Sequence, residues 1–355
     1  MGRELKVDPP KSCTMSSKLV VFVGLLMVVC VLGVGAIVYF SNTRSADCKC
    51  PVDTGDANVD RRTDNTKAGT DKPNPVDVVV STHWLRTQLC QASTTGESKI
   101  RVIEATLNKD GDEELFYRGH IPNAMYTTVF ECANKTAIFP KNLPEPECFA
   151  THVQSLGIRA DTHVVVYDRV DPKVSSRQWW VMKLHGHEKL SVLDGGYAKW
   201  LADGYETTAD NLTVLPTNYK LTFIPARVRH MDAMLHNVKT KAEQIVDMRP
   251  EGVYNGSESV KGLRRGHMPG AINIPHLMLF NEDKTFKSTQ EIKQILEASG
   301  IDLGRPVVGM CTTSTRSTVL SVAMERMGLV APEYLGSWYQ WSQLAGDEYI
   351  VSGHR

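Results

Sequence analysis

The stretch RPVVGMCTTSTRSTVLSVAMERMGLVAPEYLGSWYQW, residues 305–341, decides the fold of this chain. Its apolar run 306–310 is typical of a buried parallel strand, and the apolar spacing over 319–327 predicts a helix. Cys311 follows the strand and opens a loop of small hydroxyl residues that leads into the helix. Most free cysteines are buried core residues, yet N–H groups at a helix N-terminus stabilise an anion, and a thiolate is a nucleophile. The pattern therefore predicts a nucleophilic thiol at Cys311.

Three segments of the chain recur in its second half at a nearly constant spacing. Such internal repetition indicates a duplicated domain, in which each copy contributes the same strands and helices in the same order. The paired segments are YRGHIPNA at 117–124 with RRGHMPGA at 264–271, VVVYD at 164–168 with VVGMC at 307–311, and LDGGYAKW at 193–200 with YLGSWYQW at 334–341.

The repeat also separates a reactive copy from an inactive one. Asp168 occupies the strand-end position in the first copy, where the second copy has Cys311. An ionised carboxylate is a poor sulfur acceptor, whereas a thiolate is a good nucleophile. We therefore predict that the second copy carries the chemistry and that the first has become its partner.

Apolar runs alternate with helical spacing from residue 76 onwards. This alternation favours an α/β fold, with a parallel sheet flanked by helices in each copy. Strands are predicted at 78–80, 100–105, 162–167 and 190–193, with helices beginning at 81–83 and covering 179–184. The predicted organisation is a cytoplasmic tail (1–18), a transmembrane helix (19–40), a flexible stalk (41–75), an inactive domain (76–206), an interdomain linker (207–232) and a catalytic-type domain (233–347).

The segment LVVFVGLLMVVCVLGVGAIVYF, residues 19–40, is apolar and uncharged. It is long enough to cross a bilayer as a helix, and a cleaved signal peptide, the alternative, usually has an apolar region of about 7–15 residues. Basic residues before it predict a single-pass membrane protein with a cytoplasmic N-terminus and extracellular or luminal domains. Asn134, Asn211 and Asn255 would be glycosylation acceptors on that side.

Composition and cysteine spacing exclude several classes of protein. Lys and Arg total 40 and Asp and Glu total 40, so there is no basic footprint for nucleic acid. Eight cysteines are too few for a disulfide scaffold, although Cys132 and Cys148 flank a loop and are hypothesised to pair in an oxidising compartment. His185 and His187 would not share a helix face, so no metal site is predicted there.

These motifs resemble the tandem-domain rhodanese superfamily, the thiosulfate and 3-mercaptopyruvate sulfurtransferases. The resemblance covers about 76–345 and implies two rhodanese-like α/β domains, of which the first is inactive. The motifs that carry it are VSTHWL at 80–85, GHIPNA at 119–124, VVVYD at 164–168, RQWW at 177–180, LDGGYAKW at 193–200, DMR at 247–249, GHMPGA at 266–271 and YLGSW at 334–338.

The resemblance implies a two-step transfer of sulfur. The Cys311 thiolate would attack the sulfane sulfur of a small anionic donor, of the 3-mercaptopyruvate or thiosulfate type, and become a persulfide. A thioredoxin- or glutathione-like thiol, or cyanide, would then accept the sulfur. No cofactor and no metal are implied. The active-site loop, whose N–H groups would stabilise the thiolate and persulfide, comprises Thr312, Thr313, Ser314, Thr315 and Arg316.

Two further residues are carried over from the family as support for the substrate. Arg249 belongs to the retained DMR motif, with a role toward substrate or in the structure. His120 would assist catalysis in the mercaptopyruvate type, or hydrogen-bond at a turn, and Thr313 could relay a proton.

The chain departs from the family in the loop and at the substrate-binding arginine. The loop CTTSTR at 311–316 has no glycine, so any residue with positive φ would be strained. Val253 replaces the arginine that would bind an anionic donor, and Lys261, Arg264 or Arg265 would have to compensate.

Three functions follow, in order of preference. The first is a sulfurtransferase that uses Cys311. The second is a membrane-anchored rhodanese-like binding or scaffold protein with weakened or no catalysis, which the altered loop and Val253 favour. The third is a cysteine phosphatase, which the loop disfavours because Cys311 and Arg316 are separated by four residues, and phosphatases of this fold have five.

Overall fold

The computed structural model describes residues 76–95, 99–107, 109–133 and 143–353. The predicted tail, transmembrane helix and stalk, residues 1–75, lie outside the described residues. Within those four ranges, no helix has both the length and the apolar character that crossing a membrane requires.

The first half contains five parallel strands. They are β1 (Val79–Val80), β2 (Ile100–Thr106), β3 (Ala124–Thr128), β4 (His163–Tyr167) and β5 (Leu190–Leu193). The sheet has the order β1-β5-β4-β2-β3. Residues 164–167 of the central strand β4 are fully buried, because a parallel sheet with helices on both faces leaves neither side to solvent. The strands predicted from the sequence are confirmed.

Helices cover this sheet. They are α1 (Thr82–Thr95), α2 (Asp112–Arg118), α3 (Pro146–Ser155), α4 (Lys173–Leu184) and α5 (Gly196–Ala202). The Trp84 N–H donates to the Ser81 hydroxyl at 3.1 Å, which satisfies one of the free N–H groups at the start of α1. Every residue of α4 from Val174 to Leu184 is buried, so this helix is covered on all sides.

The second half repeats the first. Its strands are β6 (Val228–Arg229), β7 (Gln244–Asp247), β8 (Ile272–Asn273), β9 (Val307–Met310) and β10 (Glu333–Tyr334). Their order, β6-β10-β9-β7-β8, is that of the first sheet with each strand replaced by its equivalent. The duplication predicted from the repeats is therefore confirmed. Strand β6 lies inside the segment predicted as linker, 207–232.

The helices of the second half complete the two covered sheets. They are α6 (Met231–Thr240), α7 (Glu251–Asn255), α8 (Thr289–Ala298), α9 (Thr318–Arg326) and α10 (Ser337–Leu344), with 3-10 turns at 225–227, 276–279 and 347–349. Helices α4 and α9 pack against each other, and Glu325 of α9 pairs with Lys183 of α4 at 3.4 Å. This contact joins the two halves near the carboxyl ends of α4 and α9.

Cysteine and histidine side chains serve the structure of the first half. Cys132 and Cys148 form a disulfide with a Cα–Cα distance of 5.7 Å, as hypothesised. His185 Nδ1 lies 2.8 Å from the Val181 carbonyl, and His187 Nε2 lies 3.0 Å from the Thr162 carbonyl. In the described ranges, no group of three or more His, Cys, Asp or Glu residues could hold a metal ion.

Candidate active site

Cys311 lies directly after β9, at the carboxyl end of a central strand and at the start of the loop that enters α9. It is the free cysteine of the described chain and is only 1% exposed. Its sulfur accepts a hydrogen bond from the Ser317 hydroxyl, with Oγ and Sγ 3.5 Å apart. Parallel sheets bind ligands at this edge, outside the carboxyl ends of their strands. The thiol is thus placed where a substrate site is expected.

Ser314 adopts the strained conformation that a loop without glycine predicts. Its φ is 51°, in the left-handed region. The surrounding chain holds it there: its N–H donates to the Ser337 hydroxyl at 3.0 Å, and its own Oγ lies 2.9 Å from the Tyr334 carbonyl oxygen and 2.8 Å from that of Leu335. Strain of this kind persists only when several contacts fix the backbone. The Ser314 N–H is therefore committed to Ser337 and is not free to bind the sulfur.

The start of α10 fixes the rest of the loop. The Trp338 N–H donates to the Cys311 carbonyl, and the Tyr339 N–H donates to the Thr312 carbonyl, both at 2.9 Å. The side chains of Thr312, Thr313 and Arg316 are half-buried, whereas those of Ser314 and Thr315 are buried. The Thr313 carbonyl accepts a hydrogen bond from the Thr315 hydroxyl at 3.4 Å, and the relay role of the Thr313 hydroxyl stays a prediction.

Arg177 reaches the loop from the opposite half. It is fully buried in α4, and its Nη1 donates to the Ser314 carbonyl at 2.9 Å. Its Nε and Nη2 have no hydrogen-bond partner within the described residues, and its guanidinium lies 4.8 Å from the centre of the Trp180 ring. Burial lowers the pKa of Arg177 to about 10, against the opposing charges of Glu333 and Cys311. The first domain thus supplies a cation to the site in the second.

Glu333 places a carboxyl group behind the same loop. It lies on β10 with no exposed surface, and its Oε1 accepts a hydrogen bond from the Ser321 hydroxyl at 2.7 Å. Burial raises the pKa of Glu333 to about 7, while hydrogen bonds from Ser317 and Ser321 and the charge of Arg177 oppose that rise. Ser317 therefore donates to the Cys311 sulfur and also lowers the pKa of the Glu333 carboxyl group.

Arg249 is a structural residue by its contacts. It is fully buried, its Nε and Nη2 bind the Asp247 carboxylate at 2.6–2.9 Å, and Nη2 also donates to the Gly266 carbonyl at 2.9 Å. Its guanidinium lies 4.4 Å from the centre of the Trp338 ring. These contacts hold α10 against β7, so Arg249 supports the helix that fixes the loop.

His120 has its ring contacts within the first half. Nδ1 lies 3.0 Å from the Phe116 carbonyl and Nε2 lies 3.2 Å from the Asp210 carbonyl, and the ring stacks on Phe116. This geometry matches a turn histidine. Assistance to catalysis by His120 stays a prediction.

A group of cations surrounds His276, on the 3-10 turn after β8. Burial, followed by the charges of Arg316, Lys173 and Lys284, lowers the pKa of His276 to about 3, so the ring is neutral. Its Nε2 lies 3.6 Å from the Asp171 carboxylate of the first half. Because Arg316 belongs to the loop of Cys311, this positive group lies beside the candidate site.

The family model for the rhodanese-like domain matches this chain twice, at residues 92–203 and 230–344. The chain belongs to the rhodanese-like family. Thiosulfate sulfurtransferase of Bos taurus is 33% identical over 285 residues, which are 77% of this chain and 95% of that protein. The 3-mercaptopyruvate sulfurtransferase of Homo sapiens is 29% identical over 293 residues, covering 80% of this chain and 98% of that protein. The resemblance inferred from the motifs is confirmed.

A solved structure agrees with the rhodanese-like assignment. SseA from Escherichia coli, described as a 3-mercaptopyruvate sulfotransferase with the rhodanese fold, matches with a TM-score of 0.65 and 29% identity. The match covers 74% of this chain and 99% of that one. Tum1 of Saccharomyces cerevisiae, 21% identical with a TM-score of 0.69, shares the fold.

The arginines proposed to compensate for Val253 are engaged in other contacts. Arg264 donates to the carbonyls of Ser342 and Ala345 and pairs with Asp347. Arg265 donates to a backbone carbonyl at 3.3 Å. Within this rhodanese-like site the cation on the active-site loop is instead Arg316.

Sequence reasoning missed Ser317, Ser337, Arg177 and Glu333 as parts of the site. Ser317 ends the run of hydroxyl residues after Cys311, which was a usable signal. Glu333 is an acidic residue beside apolar strand residues, and a carboxylate in such a position often has a special role. Ser337 and Arg177 belong to the motifs YLGSW and RQWW, but nothing in those motifs indicated a contact with the loop, because only the fold brings them there.

Proposed function

We propose that this chain is a sulfurtransferase that carries sulfur as a persulfide on Cys311. The observation that carries the proposal is the position of the free thiol: Cys311 ends a central strand in one half, where the other half has Asp168. The named relatives of similar length are sulfurtransferases, which supports the same general activity here.

The chemistry takes place in two half-reactions. The Cys311 thiolate attacks the sulfane sulfur of a donor, a new S–S bond forms, and the bond between that sulfur and the rest of the donor breaks. A thiol or cyanide then attacks the outer sulfur of the persulfide, and Cys311 leaves as a thiolate. We propose a small anionic donor, of the 3-mercaptopyruvate or thiosulfate type, because the loop carries the cation Arg316, whose charge acts on His276 together with those of Lys173 and Lys284.

The test weighs the peptide that contains Cys311. The reduced full chain is incubated with 3-mercaptopyruvate or with thiosulfate and then alkylated, beside a Cys311→Ser control. A gain of one sulfur on Cys311 with either donor is the expected result, and the donor that gives it defines the substrate class. Absence of that gain with both donors, from a folded protein, would favour the binding or scaffold role, which the substitution at Val253 supports.

We also propose that residues 19–40 anchor the chain in a membrane, with both rhodanese-like domains outside the cytoplasm. The apolar, uncharged composition of that segment supports the anchor, and the exposed acceptor Asn211 supports the topology. The full chain expressed in a secretory cell should resist alkaline extraction from membranes. It should also lose mass on deglycosylation, by less in an Asn211→Gln variant. Release by alkaline extraction would refute the anchor.

A further inference from the structure

We propose that Arg177 and Glu333 are a buried charge pair that sets the reactivity of Cys311 in opposite directions. Arg177 favours the thiolate and ionised Glu333 opposes it, so both act as positioning residues. The inference deepens the proposed function and rests on Cys311 as the nucleophile.

The two charged residues approach the loop and strand of Cys311 from two different elements of the structure. Arg177 comes from α4 and holds the Ser314 carbonyl at 2.9 Å, while Glu333 comes from β10, next to the strand that ends at Cys311. Ser317 lies close to both Cys311 and Glu333, because its hydroxyl donates to the Cys311 sulfur at 3.5 Å and it also lowers the pKa of Glu333. Among the described residues, the charge of Arg177 acts on the Glu333 carboxylate, and the loop that begins at Cys311 also carries Arg316.

The strand beside Glu333 leaves space for its carboxylate. Gly309 of β9 pairs with Glu333, and a Cβ atom at Gly309 would lie 3.0 Å from Oε1. Any larger residue there would have to displace the carboxylate. The buried acid is thus accommodated by a specific glycine in the strand that carries Cys311.

The pair is absent from the equivalent positions of the repeat. By the alignment of 193–200 with 334–341, Val192 occupies the place of Glu333 in the first half. The glycines with positive φ that follow α4 and α9, Gly186 and Gly328, align the two helices, so Val319 occupies the place of Arg177 in the second half. Each half therefore contributes one charged residue where its copy has an apolar one. Both charges converge on the half with the thiol, which a role in the common core would not explain.

Burial makes these charges effective. Arg177 and Glu333 have no exposed surface, so water screens them little. Charge interactions are mutual, and the thiolate of Cys311 raises the pKa of Arg177, so Arg177 stabilises the thiolate in return. Glu333 changes charge near neutral pH. Because like charges that lie close together disfavour each other, the ionised carboxylate would oppose the thiolate.

The experiment measures how fast iodoacetamide, a small neutral reagent, captures Cys311 in the full chain across a pH series. The readout is the mass of the Cys311 peptide, so it does not depend on sulfur transfer. Glu333→Gln should move the midpoint of the pH profile down by about one pH unit, and Arg177→Met should move it up by about one unit or more. The double variant should return toward the wild-type midpoint, since both charges are removed together.

Lys183→Met is the matched control. Lys183 is another buried cation of α4, and it pairs with Glu188 and Glu325, away from Cys311. Its replacement perturbs the same helix and should leave the midpoint unchanged.

Opposite shifts of the midpoint in the two single variants would support the charge pair, because general damage to packing would move both midpoints in the same direction. An unchanged midpoint in Glu333→Gln, or shifts of the same sign, would overturn it. If Arg177→Met does not fold, the double variant and Glu333→Gln decide. The midpoints of the two single variants can also shift in opposite directions while neither donor adds sulfur to Cys311. That result would support the charge pair and reject the sulfurtransferase function.

Discussion

Ser314 allows a direct measurement of the strain stored in the active-site loop. Its left-handed backbone, with φ of 51°, costs a residue with a side chain about 1–2 kcal/mol. Ser314→Ala keeps that cost and removes a hydroxyl that contacts two buried carbonyls, a loss of about 1–3 kcal/mol. Ser314→Gly loses the same hydroxyl but relieves the backbone. We therefore expect the glycine variant to be more stable than the alanine variant by about 1 kcal/mol.

Equilibrium urea unfolding gives the free energy of unfolding of each variant. The two values are compared when the free energy of unfolding depends on urea concentration with the same slope in both variants. Ser299, at the end of α8 with φ of −79°, provides the control, because its hydroxyl also contacts a carbonyl, at 2.8 Å. There the order should reverse, with glycine less stable than alanine by about 0.5–1 kcal/mol. If Ser314→Gly is less stable than Ser314→Ala, the claim of backbone strain is refuted.

Three other predictions concern stability. Gly266→Ala should lower the free energy of unfolding by at least about 2 kcal/mol, since φ is +109° and the new Cβ would collide with the Val351 carbonyl. Thermal unfolding measures this loss, and an unchanged unfolding midpoint would contradict the geometry. Replacing both Cys132 and Cys148 by Ser should cost about 3 kcal/mol of unfolding free energy for a separation of 16 residues, against the oxidised wild type; equal stability would contradict this. Burial raises the pKa of Asp168 from 3.8 to about 6, so its charged form weakens the fold as pH rises through that window. Asp168→Asn should flatten this pH dependence of unfolding, and an unaltered slope would count against it.

The parts of the fold that depend on local pattern were predictable from the sequence. The apolar runs that became β4, β5 and β9 are buried on both faces, so they needed no alternation to be recognised. The repeats also predicted, before any contact was known, that the two halves are copies of one α/β domain. The sequence also predicted that any residue of this glycine-free loop with positive φ would be strained, and the structure identifies Ser314 as such a residue.

The contacts between the halves were not predictable in this way. Arg177 lies more than a hundred residues from the loop it supports, and nothing in its own helix indicates that its guanidinium points to Ser314. The contacts of Arg264 were unpredictable for the same reason, since its hydrogen bonds to the end of α10 depend on tertiary packing. A charged residue in a sequence has the same appearance whether it binds substrate or a backbone carbonyl.

The burial of Cys311 has a consequence for the lifetime of the thiol. A disulfide at Cys132–Cys148 requires conditions that oxidise accessible thiols, yet Cys311 is free and only 1% exposed. Thiol–disulfide exchange needs a collision along the S–S axis, which bulky disulfides cannot achieve at a sulfur enclosed by packed side chains. The enclosure therefore keeps bulky oxidants away from the thiol. The same walls that limit access let a nucleophile survive beside structural disulfides.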